Sequence, residues 1–170
     1  MPLEIERKFL VVSDMWRPHA TAKRSLVQFY LSTGTRSSVR VRLEGTDLAW
    51  LTIKAASHGR SRLELEYPIP VHDARQMMAL AEGAVIEKVR HLVPHEGLVW
   101  EVDVFSGDNE GLTIAEVELE RADQPIHLPA WLGREVTDDR RYYNASLAHE
   151  PLGHWKHATE PSGPPAVHKA

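Results

Sequence analysis

The chain has no cysteine among its 170 residues, so disulfides, thiolate nucleophiles and cysteine-bound zinc are excluded. It also lacks any run near the roughly 20 apolar residues that cross a membrane, and it begins without the basic and apolar regions of a signal peptide. Its net charge of −4 offers no basic surface for duplex nucleic acid. We therefore expect a cytoplasmic protein that binds neither membranes nor nucleic acid.

Histidine is plentiful, with ten residues, but its spacing does not match a metal site. His91 and His95 are four apart across a predicted strand end, and His154 and His157 lie in a segment without periodicity. We expect most of these imidazoles on the surface, so no histidine is assigned as a metal ligand.

What the chain does contain is a repeated alternation of apolar and charged residues. In residues 4–11, a strand would put Glu4, Glu6 and Lys8 on one face and apolar side chains on the other. Five further segments carry two like charges at alternate positions, namely Arg40 and Arg42, Glu64 and Glu66, Lys88 and Arg90, Glu101 and Asp103, and Glu116 and Glu118. Neighbouring like charges repel, and a merely soluble surface would mix the signs. The segregation of sign therefore predicts a ligand.

About eight such strands, joined mostly by short turns, predict an antiparallel, mainly β (α+β) fold without βαβ units. Two helices are expected, at residues 73–82 from their apolar period and at residues 137–147 behind a threonine cap. A sheet of this length tends to close, so we predict an eight-stranded barrel with a charged interior and the helices against its apolar outer face. Residues 1–150 form this domain, and residues 151–170 are expected to be a flexible tail.

Both signs of charge in one interior predict a polyanion together with a divalent cation. Basic side chains suit phosphate oxygens, to which arginine forks bind bidentately. Acidic side chains would repel that polyanion unless Mg²⁺ or Mn²⁺ bridged carboxylates to phosphate. The basic set is Lys8, Arg40, Arg42, Lys54, Lys88 and Arg90. The acidic set is Glu4, Glu6, Glu64, Glu66, Asp103, Glu116 and Glu118.

The order of these residues over about residues 3–149 resembles the CYTH, or triphosphate tunnel metalloenzyme, superfamily, beginning with an ExExK motif at Glu4. The resemblance implies an eight-stranded antiparallel tunnel that acts on triphosphates. Residues 4–11 and 135–144 are most similar to the bacterial inorganic triphosphatase branch. That branch implies metal-dependent hydrolysis of tripolyphosphate to pyrophosphate and phosphate.

The same resemblance implies roles for individual residues. The implied metal ligands are Glu4, Glu6, Glu116 and Glu118. Further ligands, or supports of the ligands, are Glu64, Glu66 and Asp103. For the pair Glu64 and Glu66, bridging to arginines is an equal alternative. The implied phosphate-binding residues are Lys8, Arg40, Arg42, Lys54, Lys88 and Arg90. Tyr30 lies where the branch carries a tyrosine, and with Lys8 it would orient the attacking water or protonate the leaving phosphate. Packing alone is the other explanation for Tyr30, and a metal-bound water is the expected nucleophile.

Other functions stay open at this point. A class IV adenylate cyclase would use a similar tunnel but needs an adenine pocket, which the sequence does not locate. A thiamine or nucleoside triphosphatase and a non-catalytic polyphosphate-binding module are the remaining alternatives. A homodimer is also considered, because two-fold pairing is common among such barrels.

Overall fold

The computed structural model describes residues 5–56 and 63–155, which form one antiparallel sheet with short helices packed on it. The strands are β1 (Ile5–Val11), β2 (Ala22–Thr33), β3 (Ser37–Glu44), β4 (Leu48–Ala55), β5 (Glu64–Pro68), β6 (Glu82–His95), β7 (Leu98–Ser106), β8 (Thr113–Leu119) and β9 (Leu132–Glu135). The α-helices are α1 (Val71–Met77), α2 (Asn144–His149) and α3 (Leu152–Trp155). Four 3₁₀ turns lie at Arg17–His19, Met78–Leu80, Gly107–Asn109 and Arg140–Tyr142.

The strand order across the sheet is β5-β4-β3-β2-β6-β7-β8-β1-β9. Most neighbours are joined by hairpins, and the tightest joins β6 to β7 through Glu96 and Gly97, whose φ angles are 47° and 79°. Two consecutive residues with positive φ make a turn whose twist matches that of the strands, and glycine adopts this conformation without steric cost.

The ladder register places the charged residues on one face of the sheet. Lys8 lies directly opposite Glu116, and Arg90 lies opposite Asp103. Directly opposed residues point to the same side, and side chains alternate sides along each strand. The same face therefore continues from β1 through every strand to β5, as the alternation in the sequence predicted. We call it the charged face.

The opposite, outer face carries two apolar clusters. One cluster contains Phe29, Val41 and Leu43 and is covered by Ala74 of α1. The other contains Trp100, whose ring meets those of Phe9 and Trp131 edge-on with centroids 5.7 and 5.9 Å away. Burying a side chain of this size stabilises the fold by about 1.5–3 kcal/mol. These clusters therefore offset much of the conformational entropy that the strands lose on folding. The second cluster also contains Trp16, Val93, Val102, Ala115, Val117 and Leu119.

A third apolar cluster lies on the charged face itself, at one end. Leu10, Phe105 and Ile114 continue the rows that begin with Lys8, Asp103 and Glu116, and they are buried beneath α2 and α3. The predicted second helix therefore does not cover the outer face, because it closes one end of the charged face instead.

The approach of α2 to β6 depends on Gly83. A Cβ at Gly83 would lie 2.5 Å from the carbonyl oxygen of Ala148, and its φ of 75° also favours glycine.

The predicted mainly β, antiparallel architecture with a charged side is confirmed, and the structure differs from an eight-stranded closed barrel in two details. The sheet has nine strands, and in the described part of the chain its edge strands β5 and β9 do not pair with each other. The ninth strand, Leu132–Glu135, escaped prediction because four residues are too short to show alternation.

The predicted helices differ from the structure mainly in their limits. The helix expected at residues 73–82 is α1 followed by a 3₁₀ turn, and only the end of the one expected at residues 137–147 is α-helical. Residues 152–155, assigned to the tail by sequence, form α3 with Leu152 buried. Residues 156–170 lie outside the described residues. Within the described ranges, no helix has the length and apolar character to cross a membrane.

Candidate active site

The charged face brings together nearly all of the residues singled out by sequence. Those on it are Glu6, Lys8, Tyr30, Arg40, Arg42, Lys54, Glu64, Glu66, Lys88, Arg90, Asp103, Glu116 and Glu118. Glu4, one of the predicted metal ligands, lies outside the described residues. The site is thus a strip across eight neighbouring strands, from β5 to β1.

The most buried part of the strip is a carboxylate held between two cations. Lys88 Nζ donates a 2.7 Å hydrogen bond to Oδ2 of Asp103. Arg90 donates from Nε and Nη2 to the two oxygens of the same carboxylate, at 2.8 and 2.9 Å. Such a paired fork fixes the guanidinium plane as well as its position. Asp103 therefore orients both phosphate-binding candidates on β6.

Burial and charge act against each other in this group. Burial lowers the pKa of Lys88, and the charge of Asp103 opposes that effect. Burial alone would raise the pKa of Asp103, but Lys88 and Arg90 outweigh it and lower the pKa to about 2. Burial also disfavours the charge of Arg90, yet its bonds to Asp103 raise its pKa. The carboxylate is accordingly ionised at every physiological pH.

Glu116 links this group to the first strand. Its Oε1 lies 3.3 Å from Lys8 Nζ, and its Oε2 lies 3.8 Å from Nη2 of Arg90. Arg90 also forms an ion pair with Glu101. Glu101 was not among the predicted site residues, although it shares the like-charge alternation with Asp103. Burial raises the pKa of Glu101, with Arg90 opposing.

The carboxylates farthest along β1 and β8 have a different environment. Glu6 and Glu118 lie directly opposite each other, and both are exposed. Opposed like charges on a sheet destabilise it unless a cation lies between them. Their oxygens are the ligands that Mg²⁺ and Mn²⁺ prefer.

This pair fits a magnesium-type site better than a complete protein cage. Among the residues the structure describes, no group of three or more His, Cys, Asp or Glu converges with metal-binding geometry. Mg²⁺ usually keeps several waters and binds one or two carboxylates together with substrate phosphates. A pair of carboxylates beside phosphate-binding cations meets that requirement.

Strands β3, β4 and β5 form a second basic region of the charged face. Arg40 Nη2 donates a 3.4 Å hydrogen bond to the hydroxyl of Thr52, which donates at 3.2 Å to Glu66. Lys54 pairs with Glu64 at 3.3 Å, and Arg42 pairs with Glu44 at 2.9 Å. Here Glu64 and Glu66 bridge to basic side chains, which is the alternative to metal binding that the sequence left open.

The arginines of this region keep bonding capacity for an anion. In the described chain, the buried Nε of Arg40 and of Arg42 has no hydrogen-bond acceptor. Unpaired buried donors are costly, and phosphate oxygens would satisfy them. Burial and the neighbouring Arg40 lower the pKa of Arg42, so an added negative charge would also relieve repulsion within the pair.

Tyr30 lies between the charged residues and the apolar end of the face. It is 6% exposed and belongs to the third apolar cluster. Its cross-strand neighbour is Arg40, and between the described residues no hydrogen bond joins it to Lys8, the partner expected from sequence. Burial raises the pKa of Tyr30, with Arg40 opposing, so the phenol is neutral and can donate a proton at pH 7.

Residues of the carboxyl-terminal segment complete the closed end, and the sequence did not single them out. Asn144 Oδ1 accepts a 3.3 Å hydrogen bond from Lys88 Nζ, and the Tyr143 ring lies 5.2 Å from Lys8 Nζ. Neither residue belongs to a strand with alternating charges, so the pattern that predicted the rest of the site could not assign them to it.

Known proteins are similar to this chain over most of its length. The model of the CYTH domain family matches residues 2–149. An inorganic triphosphatase of Acetivibrio thermocellus is 46% identical over 158 residues, covering 92% of this chain and 99% of that protein. An inorganic triphosphatase of Nitrosomonas europaea is 40% identical over 151 residues, covering 85% of this chain and 96% of that protein. The crystal structure of the inorganic triphosphatase NE1496 superposes with a TM-score of 0.68 at 36% identity, covering 87% of this chain and 95% of that one.

Proposed function

The chain belongs to the CYTH domain family, and from this membership we propose that it hydrolyses inorganic triphosphate to pyrophosphate and phosphate with a divalent metal ion. The observation that carries the proposal is the convergence of basic and acidic side chains on one face of the sheet. Relatives matched over 99% and 96% of their length, at 46% and 40% identity, are inorganic triphosphatases. The relatives support a hydrolytic activity. Dependence on a divalent metal ion is a further element of the proposal.

The basic side chains bind and orient the substrate. Arg40 and Arg42 offer guanidinium donors from β3, and Lys88 and Arg90 offer theirs from β6, the strand on the far side of β2. A linear triphosphate lying across β2 would be contacted from both sides. Binding of this kind fixes the reacting phosphorus and neutralises charge, which are the main requirements of phosphoryl transfer. Lys8 and Lys54 extend the contacts at the two ends of the strip.

The carboxylates divide into two proposed groups. Glu6 and Glu118, with Glu4 and Glu116, would hold Mg²⁺ or Mn²⁺ at the end of the strip formed by β1 and β8. When bound, such an ion supplies charge neutralisation and lowers the pKa of a coordinated water. Asp103, Glu64 and Glu66 act chiefly on the basic side chains, with which they form ion pairs. Glu116 also pairs with Lys8 and Arg90, so it connects the two groups. This division narrows the ligand set expected from sequence.

Tyr30 is the proposed proton donor to the leaving phosphate. Its hydroxyl is kept protonated by burial, and its opposition to Arg40 places it beside a phosphate-binding group. General acid catalysis of this kind contributes about 10²–10⁴-fold to a rate. Lys8, which forms no hydrogen bond with Tyr30 among the described residues, would instead hold phosphate near the metal end.

The partners proposed for this protein are a small triphosphate and a second copy of the chain, with no nucleic acid or membrane. A cytoplasmic location is also part of the proposal. Light scattering on the purified protein measures its mass in solution, and a monomeric mass would remove the homodimer.

A substrate panel tests the proposed reaction. Phosphate release is measured from tripolyphosphate, ATP and thiamine triphosphate with Mg²⁺ and with Mn²⁺. We expect rapid release from tripolyphosphate and little from the other two. Formation of cyclic AMP and pyrophosphate from ATP would instead identify a cyclase. Thermal stabilisation by tripolyphosphate without turnover would identify a binding module.

A further inference from the structure

The two most buried lysines of the charged face are contacted by consecutive residues of one segment. Lys8 and Lys88 are 5% and 3% exposed. Tyr143 contacts the first through its ring, and Asn144 contacts the second through its amide oxygen. Lys8 is on β1 and Lys88 is on β6, which are not neighbours in the sheet. The contacting segment therefore spans the closed end of the charged face.

The segment is tied to Lys8 through the backbone as well. The amide of Lys8 donates a 3.0 Å hydrogen bond to Oγ1 of Thr137. The carbonyl of Lys8 accepts a 2.8 Å bond from the amide of Val136. The hydroxyl of Tyr143 donates to the carbonyl of Thr137 at 3.1 Å, which holds the ring beside the ammonium group. A cation within about 6 Å of a ring centroid is attracted to the ring face.

Asn144 supplies Lys88 with a neutral acceptor. Asp103 already pairs with both Lys88 and Arg90, and a second carboxylate at Lys88 would add negative charge where phosphate is to bind. An amide oxygen accepts a hydrogen bond without adding charge. Within the described chain, Lys88 has these two acceptors and the Phe105 ring, whose centroid lies 5.3 Å from Nζ, and we expect its remaining N–H to meet a substrate oxygen. Two fixed bonds set the direction of the third, because the donors of an ammonium group are tetrahedral.

We propose that Asn144 is a positioning residue that aims the ammonium group of Lys88 at the substrate, as part of a segment, residues 136–144, that fixes both buried lysines. The use of this geometry in turnover rests on the proposed triphosphatase function. The geometry itself does not, so the two can be tested apart.

The first test compares Asn144→Ala with Asn109→Ala. Asn109 accepts a 2.9 Å hydrogen bond from the amide of Leu152, so it also anchors the carboxyl-terminal segment but contacts neither lysine. For Asn144→Ala we expect kcat on tripolyphosphate to fall about tenfold, with KM changed less than about threefold, because Lys88 keeps its charge and loses its direction. Asn109→Ala should lower the thermal midpoint and leave kcat within about twofold. Equal kcat values for the two variants would overturn the proposal.

A double-mutant cycle separates positioning from a general loss of structure. If Asn144 acts through Lys88, adding Asn144→Ala to Lys88→Met should change kcat/KM by less than about twofold. An undiminished tenfold loss in the Lys88→Met background would contradict the proposal.

A readout independent of activity is the exchange rate of the Lys88 ammonium protons, measured by nitrogen-15 NMR and assigned with Lys88→Met. Loss of the Asn144 acceptor should accelerate exchange by about fivefold or more. An unchanged rate would overturn the proposal even in an active enzyme. Absence of tripolyphosphate hydrolysis by the wild type would refute the proposed function, while this measurement would still decide the role of Asn144.

Discussion

Lys88 and Asp103 form a buried ion pair of 2.7 Å, with 2% and 1% of their side chains exposed, at the centre of the charged face. Arg90 shares the same carboxylate. One carboxylate thus bonds two cations in a place that water hardly reaches. Arg90 has Glu101 and Glu116 as further partners, whereas among the described residues Asp103 is the carboxylate that pairs with Lys88.

Replacement of Asp103 by asparagine should therefore destabilise the fold. The change leaves two buried cations without their carboxylate, and breaking a buried pair in this way costs about 3–5 kcal/mol. Urea unfolding followed by circular dichroism measures the loss. The matched control is Asp108→Asn, since Asp108 is exposed on the turn after the same strand. Equal unfolding free energies for the two variants would contradict the assigned role of Asp103.

The stability of the wild type should fall at acid pH for the same reason. The pKa of Asp103 is lowered from 3.8 to about 2 in the folded protein. Because the unfolded chain binds this proton more readily, the contribution is complete above about pH 4 and lost as the pH falls through about 2. The shift corresponds to about 2 kcal/mol. Between pH 6 and 2, the unfolding free energy measured with urea should fall more steeply for the wild type than for Asp103→Asn. Parallel curves for the two proteins would contradict the assigned contribution of Asp103.

Glu118→Gln tests the metal end of the site. This change removes one of two directly opposed carboxylates, so the metal-free protein should be as stable as the wild type or slightly more stable. Turnover of tripolyphosphate should fall by about 100-fold or more, and Mn²⁺ should no longer raise the thermal midpoint. Scanning calorimetry with and without Mn²⁺, together with phosphate release, measures both effects.

The control for this variant is Glu120→Gln, which removes an exposed carboxylate just beyond the end of the same strand. It should keep both turnover and the Mn²⁺ response. Loss of the response in both variants would mean that net charge, rather than the proposed ligand, is responsible.

Tyr30→Phe tests the proposed proton donor. The ring should keep its packing in the apolar cluster, so the thermal midpoint should change little. We expect kcat on tripolyphosphate to fall by about 10²-fold, because the leaving phosphate loses its acid. Tyr142→Phe is the matched control, since Tyr142 is buried in the same apolar cluster but its hydroxyl accepts from Arg134, which is not one of the proposed phosphate-binding residues. A wild-type kcat for Tyr30→Phe would contradict the role of proton donor and leave packing as the explanation for Tyr30.

Strand alternation made most of the charged face predictable. Side chains at positions i and i+2 of a strand must share a face, so Arg40 with Arg42 and Lys88 with Arg90 could be placed without a structure. Their alignment across the sheet then follows from the ladder, which sets Arg90 opposite Asp103. Alternation could not show which carboxylates form ion pairs with the basic side chains. The structure shows that Asp103 pairs with Lys88 and Arg90.

The closed end of the site was not predictable in the same way. Tyr143 and Asn144 lie where a segment of turns meets the start of α2, and no strand period relates sequence position to direction there. That helix was expected on the outer face, because its apolar residues do not show which apolar surface of the sheet they contact. Leu10 and Phe105, apolar residues in otherwise charged rows, were the signal that one end of the charged face is covered.

The central claim is that cation and triphosphate act together on the charged face. Its most direct test is the rate of phosphate release from tripolyphosphate after removal of divalent ions by chelation, followed by their return. The account predicts that turnover stops on chelation and is restored by Mg²⁺ or Mn²⁺. Undiminished turnover in the chelated protein, or none after either ion is restored, would contradict it.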